Sequence, residues 1–219
     1  AELCNGKVVQ IPVREDDLQY DVDAMLAAIN DRTKLMLIIN PNNPTGVFIE
    51  DDDLIRFCET GVPLCVDEAY LDYNPDRPSK ASLIKKYPHV FLSVTFSKAY
   101  GLAGLRLGYG VAPARLAQYL ARIREPFHLN SLTLNAALAG LDDLEHVARS
   151  VEIVRDGRTW LYGQLLELGL QTWPSQANFL LFEPPYPPSE ISERLLGHGI
   201  ILRPMSQFYL PTHLRVSVG

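Results

Sequence analysis

Four short apolar runs constrain this chain more than any other feature of its sequence. Leu35–Ile39 closes on Asn40-Pro41-Asn42-Asn43-Pro44-Thr45-Gly46, and Pro63–Val66 closes on Asp67-Glu68-Ala69-Tyr70. Val90–Val94 closes on Thr95-Phe96-Ser97-Lys98, which leads through Gly101-Leu102-Ala103-Gly104-Leu105-Arg106 to the fourth run, Leu107–Val111. Runs that are apolar throughout, rather than alternating, are what strands buried on both faces require, and parallel strands between helix layers are of that kind. Val22, Met25, Leu26 and Ile29 recur at helical spacing behind Asp21, a good N-cap, so a helix is expected over 21–30. Leu54, Phe57 and Cys58 place another helix between the first two runs. The expected fold is α/β, a mostly parallel sheet sandwiched by helices, and in such sheets ligands bind beyond the carboxyl ends of the strands.

The second half changes character. Residues 114–124, 131–142 and 144–168 read as helices, the last long enough to bridge two domains. Trp173-Pro174 breaks the pattern, and Ala177–Phe182 reads as a strand. Pro184, Pro185, Pro187 and Pro188 form a rigid, solvated lead-in to a helix at 189–198, and strands are expected at Ile200–Arg203 and Leu214–Val218. Residues 1–145 are therefore expected to belong to a large domain and 146–219 to a smaller α+β one.

Composition narrows the function classes. At 219 residues with 47% hydrophobic and 21% charged positions, the chain is neither disordered nor fibrous. A net charge of −6 argues against nucleic-acid binding, which needs clustered Lys and Arg. No apolar stretch reaches the length of a membrane span, and the start lacks the features of a signal peptide, so no membrane partner and a cytoplasmic location are expected. Cys4, Cys58 and Cys65 form no metal-ligand pattern, no metal is expected, and Cys65 in its apolar run reads as a buried, inert thiol. The chain does not start with Met and stops in LRVSVG, inside an expected strand, so both ends look cut.

The polar clusters gain meaning from their order. NPNNPTG at 40–46, VDEAY at 66–70, SKAYGLAGLRLGYG at 97–110, PSQANFLLF at 174–182, GIILRPM at 199–205 and LRVSVG at 214–219 run almost end to end. Together they resemble the fold-type I pyridoxal-phosphate aminotransferases, most closely the histidinol-phosphate aminotransferase subfamily. The Gly pattern at 101, 104 and 108 is no dinucleotide fingerprint, because it lacks GxG.

The resemblance implies a role for each residue. Lys98 would form the Schiff base with pyridoxal 5′-phosphate, and a desolvated lysine makes a competent nucleophile and proton shuttle. Asp67 would pair with the pyridine nitrogen. Asn43 and Tyr70 would hydrogen-bond the ring's phenolate oxygen, and Thr95, Ser97 and Arg106 would hold the phosphate. Arg203 and Arg215 would face the substrate and bind its carboxylate or phosphate, a task that suits the planar guanidinium. Asn178 is a substrate-side candidate too, with a backbone-bracing role as the alternative.

The implied reaction is a ping-pong transamination, from histidinol phosphate and 2-oxoglutarate to imidazole acetol phosphate and glutamate, in histidine biosynthesis and in a homodimer. An aminotransferase for aromatic or broad amino acids, a threonine-phosphate decarboxylase-like lyase and a non-catalytic module on the same scaffold are the alternatives. Relatives in the subfamily carry an N-terminal segment with a glycine loop for the phosphate, an aromatic that stacks on the ring and a tyrosine reaching the neighbouring subunit. This chain would then hold the lysine with only part of the cofactor cup. Phe208-Tyr209 stands where the subfamily usually has a glycine-containing loop.

Overall fold

A computed structural model describes residues 5–219, so Cys4 lies outside the described residues. The first helix, α1 (Val22–Ala27), starts where Asp21 accepts a hydrogen bond from the Ala24 N–H at 2.9 Å. It is followed by β1 (Met36–Ile39), α2 (Asp51–Glu59), β2 (Leu64–Asp67), α3 (Leu83–Lys86), β3 (Val90–Thr95) and β4 (Gly108–Val111). Three aspartates in the first turn of α2 suit the positive end of its dipole. Its buried Leu54, Phe57 and Cys58 pack with Ile38, Leu64, Val66, Val90 and Leu92 of the sheet.

The strands lie in the order β1-β2-β3-β4. The pairs β1–β2 and β2–β3 are parallel, as the apolar runs predict. The last pair departs from that reading: β4 runs antiparallel to β3, with Gly108 opposite Thr95. No helix of crossover length lies between them, and without such a crossover the chain can return only in the opposite direction. A side chain at Gly108 would put its Cβ 2.5 Å from the Val94 carbonyl oxygen, so only glycine lets β4 approach this closely. One sheet face is packed as described, whereas Leu37, on the other, is 55% exposed.

The remaining elements are α4 (Ala114–Ile123), α5 (Ser131–Asp142), α6 (Leu144–Glu167), β5 (Gln171–Trp173), β6 (Phe179–Glu183), α7 (Pro188–Leu196), β7 (Arg203–Pro204) and β8 (Leu214–Ser217). The second sheet has the order β5-β6-β8-β7 and is antiparallel throughout. The strand expected at Ile200–Arg203 shrinks to two residues, because Ile201 is 82% exposed and pairs with nothing. Strand β5 was not foreseen: three residues are too few to leave a periodic trace.

Helix α6 runs 24 residues, about 36 Å at 1.5 Å per residue. Its Val154 packs with Tyr70, Tyr73, Ala99, Ala177 and Phe179, while Leu165 packs under the second sheet with Leu180, Phe182 and Leu214. One helix thus serves two cores. Cys65 is buried, and burial pushes its thiol above the ordinary range, as expected of an inert cysteine.

Candidate active site

Parallel pairing levels the carboxyl ends of β1, β2 and β3: Ile39 stands beside Asp67, and Asp67 beside Ser93. The polar clusters therefore leave the sheet at one height, which their sequence positions alone do not require. The pairing continues one step further, from Asn40 N–H to the Asp67 carbonyl at 2.7 Å and from Glu68 N–H to the Ser93 carbonyl at 2.9 Å.

The 40–46 loop is held from within. Asn40 Oδ1 accepts from Ile49 N–H at 3.0 Å, and Asn42 Oδ1 accepts from the backbone and hydroxyl of Thr45 at 3.2 and 2.9 Å. The Asn40–Pro41 and Asn43–Pro44 bonds are cis. Gly46, at φ +79°, abuts Ser175 of the loop before β6, and its carbonyl accepts from Gln176 N–H at 2.7 Å. The two sheets are joined at this seam.

Lys98 follows β3 and is half-buried, its Nζ 5.2 Å from the centre of the Tyr70 ring. Burial, then the charges of Arg215 and Arg106, push its amine below the usual lysine range, and Asp67 alone pulls the other way. Lys98, Asp67, Arg106 and Arg215 are thus close enough for their charges to act on one another. Asp67 Oδ1 accepts from Ala69 N–H at 3.0 Å, which fixes the carboxylate at the end of β2. Tyr70 is buried, its ring edge-on to Phe179 at 5.3 Å. Burial raises its phenol, Arg215 and Arg203 lower it, and Asp67 raises it.

Arg215 joins the second sheet to the first. Its guanidinium lies 4.8 Å from the centre of the Phe179 ring and donates to Asn43 Oδ1 at 2.7 Å. Its Nε is buried without a partner among the described residues, and burial lowers its proton affinity. A guanidinium in that state is completed by an anion. The Oδ1 contact leaves the Asn43 amide N–H groups as its donor end. Arg203 is Arg215's cross-strand partner, so the two side chains leave the same face of the sheet. Its guanidinium sits 5.4 Å over the Phe208 ring, which gives the unexpected Phe208 a contact within the site.

The three residues expected at a phosphate stand near one another but are engaged locally. Thr95 Oγ1 accepts from Ser97 N–H at 3.1 Å, and Arg106, in a left-handed turn at φ 52°, donates to the Ala103 carbonyl at 2.8 Å. Asn178 braces the backbone, its carbonyl accepting from Val218 N–H at 2.8 Å. With Lys98, Tyr73, His146 and Ser150 it also lines a cavity of about 320 Å³.

One residue that sequence reasoning passed over belongs here: Phe179, which carries the Arg215 guanidinium and reads in sequence as one more apolar residue of a strand. Glu68, 2% exposed, instead holds the 79–80 turn, accepting from Ser79 Oγ and Lys80 N–H at 2.6 Å each. Among the described residues no helix is long and apolar enough to cross a membrane.

Comparison with known proteins identifies the family. The chain is 41% identical to a histidinol-phosphate aminotransferase of Symbiobacterium thermophilum, over 100% of this chain and 61% of that protein. It is 43% identical to histidinol-phosphate aminotransferase 1 of Idiomarina loihiensis, over 100% of this chain and 60% of the relative. The chain thus spans about three fifths of the length of these relatives. Among solved structures it superposes on histidinol-phosphate aminotransferase from Sinorhizobium meliloti in complex with pyridoxal-5′-phosphate. The TM-score is 0.86 at 29% identity, covering 97% of this chain and 60% of that one. An aspartate aminotransferase mutant from Thermus thermophilus matches with a TM-score of 0.85 at 25% identity, over 99% of this chain and 64% of that one. The family model of aminotransferase class I and II matches residues 1–219, the whole length, and the chain belongs to that family.

Proposed function

We propose that the protein carrying this chain is a pyridoxal-phosphate-dependent transaminase acting on histidinol phosphate and 2-oxoglutarate, in histidine biosynthesis in the cytoplasm. The observation that carries the reading is Lys98: a half-buried amine of lowered proton affinity, its Nζ 5.2 Å from the centre of the Tyr70 ring and within reach of the charges of Arg215, Arg106 and Asp67. The residues fit the cofactor, since an amine, a carboxylate and the Asn43 amide are the donor set its ring requires, and the buried Arg215 guanidinium, its Nε without a partner among the described residues, suits an anionic substrate beside it. In this reading residues 1–145 form part of the cofactor-binding large domain and 146–219 the small one.

When bound, pyridoxal phosphate supplies an aldehyde carbon and a ring that accepts the electron pair released at the substrate's α-carbon. Lys98 Nζ, whose neutral form burial favours, would be the amine that holds the group by that carbon, and would carry the proton from the substrate's α-carbon. The Asp67 carboxylate would keep a proton on the ring nitrogen. Tyr70 and Asn43 would donate to the phenolate oxygen, and Thr95, Ser97 and Arg106 would hold the phosphate. Arg215 takes the substrate's carboxylate or phosphate, and Arg203, opposite it across the strands, takes part in the same contact. Asn178 borders the substrate from the Lys98 side.

That both relatives are histidinol-phosphate aminotransferases supports the choice of substrate. A homodimer is supported by the apolar surface of α4 and α5 and their linker, where Ile123 is 80%, Phe127 99%, Leu132 78% and Leu138 62% exposed. The test is borohydride reduction of the holoenzyme followed by peptide mass mapping, with kinetics on histidinol phosphate and phenylalanine. The label is expected on Lys98, Lys98→Ala is expected to lose at least about 10⁴-fold in kcat, and histidinol phosphate should have the larger kcat/KM. A label on another lysine would refute the site. A strong preference for phenylalanine, or CO₂ release from O-phosphothreonine, would refute the substrate.

A further inference from the structure

Resting on the cofactor reading just given, we propose that Tyr20 is a positioning residue of this site: its hydroxyl pins Asn42 to the end of β1 and thereby sets where the Asn43 amide stands. The hydroxyl donates to the Ile39 carbonyl at 2.6 Å and accepts from Ile39 N–H at 3.1 Å and from Asn42 Nδ2 at 2.6 Å. A phenol has one proton to give and two lone pairs, so its capacity is fully used. Among the described residues β1 is an outer strand of its sheet, and Tyr20 satisfies both backbone groups of Ile39 as a neighbouring strand would.

Asn42 is the knot of the loop. Its Oδ1 holds Thr45, its N–H donates to the Val47 carbonyl at 2.8 Å, and its carbonyl accepts from Gly46 N–H at 2.8 Å. These bonds close the loop on itself, and the Tyr20 contact ties the Asn42 side chain to the sheet. Asn43, the next residue, is held from the opposite side by Arg215 at 2.7 Å. Arg215 is also the residue proposed to take the substrate anion, and the Tyr20–Asn42 bond holds the loop independently of what Arg215 binds. Burial holds the Tyr20 phenol up at about 12, so it stays a donor throughout the working range.

The test is Tyr20→Phe in the full-length holoenzyme, which keeps the ring in its core position and removes only the oxygen. The Asn43 amide favours the charged phenolate oxygen, with Tyr70, Asp67, Lys98 and Arg215 as the other polar groups facing it. Loosening Asn43 should therefore raise the pH midpoint of the cofactor's visible absorbance change by about 0.5–1 unit, a three- to tenfold change in proton affinity. The fall in kcat/KM should be of similar size and lie mainly in kcat. In the cofactor-free protein, exchange of the Ile39 amide should quicken.

Faster exchange with an unmoved midpoint and unchanged kcat would make Tyr20 a structural brace only and overturn the proposal, as would no change in any readout. If the Phe variant does not fold, fluorotyrosine at position 20 alters the phenol's acidity with little change in shape, and the midpoint must still move. A wild-type protein with no visible cofactor band would instead refute the reading beneath the proposal, before any substitution is made.

Discussion

Gly46→Ala tests how tightly the 40–46 loop and the loop before β6 are joined. The added Cβ would lie 2.1 Å from Ser175 Oγ, 2.6 Å from Ser175 Cβ and 3.0 Å from Ser175 Cα. Backbone strain comes on top, because Gly46 sits at φ +79°, where an L side chain costs about 1–2 kcal/mol. Relieving the overlap moves Ser175 and strains the bond from Gln176 N–H to the Gly46 carbonyl, and overpacking of this kind costs about 1–3 kcal/mol. The expected loss is about 2–5 kcal/mol in all. Gly61→Ala is the matched control: φ is +73° and nothing lies within 4 Å of its added Cβ, so it carries the backbone cost alone. Urea unfolding of the intact protein, followed by tryptophan fluorescence, should show Gly46→Ala less stable than Gly61→Ala by about 1–3 kcal/mol. Equal losses in the two variants would mean that the loops are not in contact, and the seam described here would be refuted.

Two further outcomes follow from the charges around Lys98. Its proton affinity is lowered in the folded protein, so the native state binds fewer protons than the unfolded one, and stability rises with pH towards the ordinary lysine value of 10.5. The cofactor-free Lys98→Met variant should therefore gain most over wild type near neutrality and lose the advantage as pH climbs; a pH-independent gap in urea midpoints would contradict this. Arg215→Lys replaces a fork by a point charge, and losing one charge-assisted bond at about 1.5–3 kcal/mol should raise KM for the anionic substrate about 10- to 100-fold. Steady-state kinetics with histidinol phosphate checks it, and an unchanged KM would remove Arg215 from the substrate side.

Much of the fold was legible because its signals are local. Helices α4, α5 and α6 lie within a residue or so of their expected ranges, since apolar residues at 3.6 spacing and caps such as Asp143 act over a single turn. The first three strands likewise coincide with the first three apolar runs. The direction of β4 was not legible, because it depends on how the 96–107 segment turns back. Nor was the loss of a strand at 200–202, where the apolar residues have no neighbour to pair with.

The polar clusters that carry Asn43, Asp67, Tyr70 and Lys98 are written in the amino-acid order, since each needs only a strand end and a turn. Their convergence was decided in three dimensions. Arg215 reaches Asn43 across 172 positions and Tyr20 reaches Asn42 across 22, and neither contact leaves any periodic or compositional mark. Periodicity records which face of an element is apolar, whereas strand register, burial of charge and the meeting of two sheets depend on packing between segments remote in the chain. For that reason Tyr20 and Phe179 emerge as parts of the site only once the chain is folded.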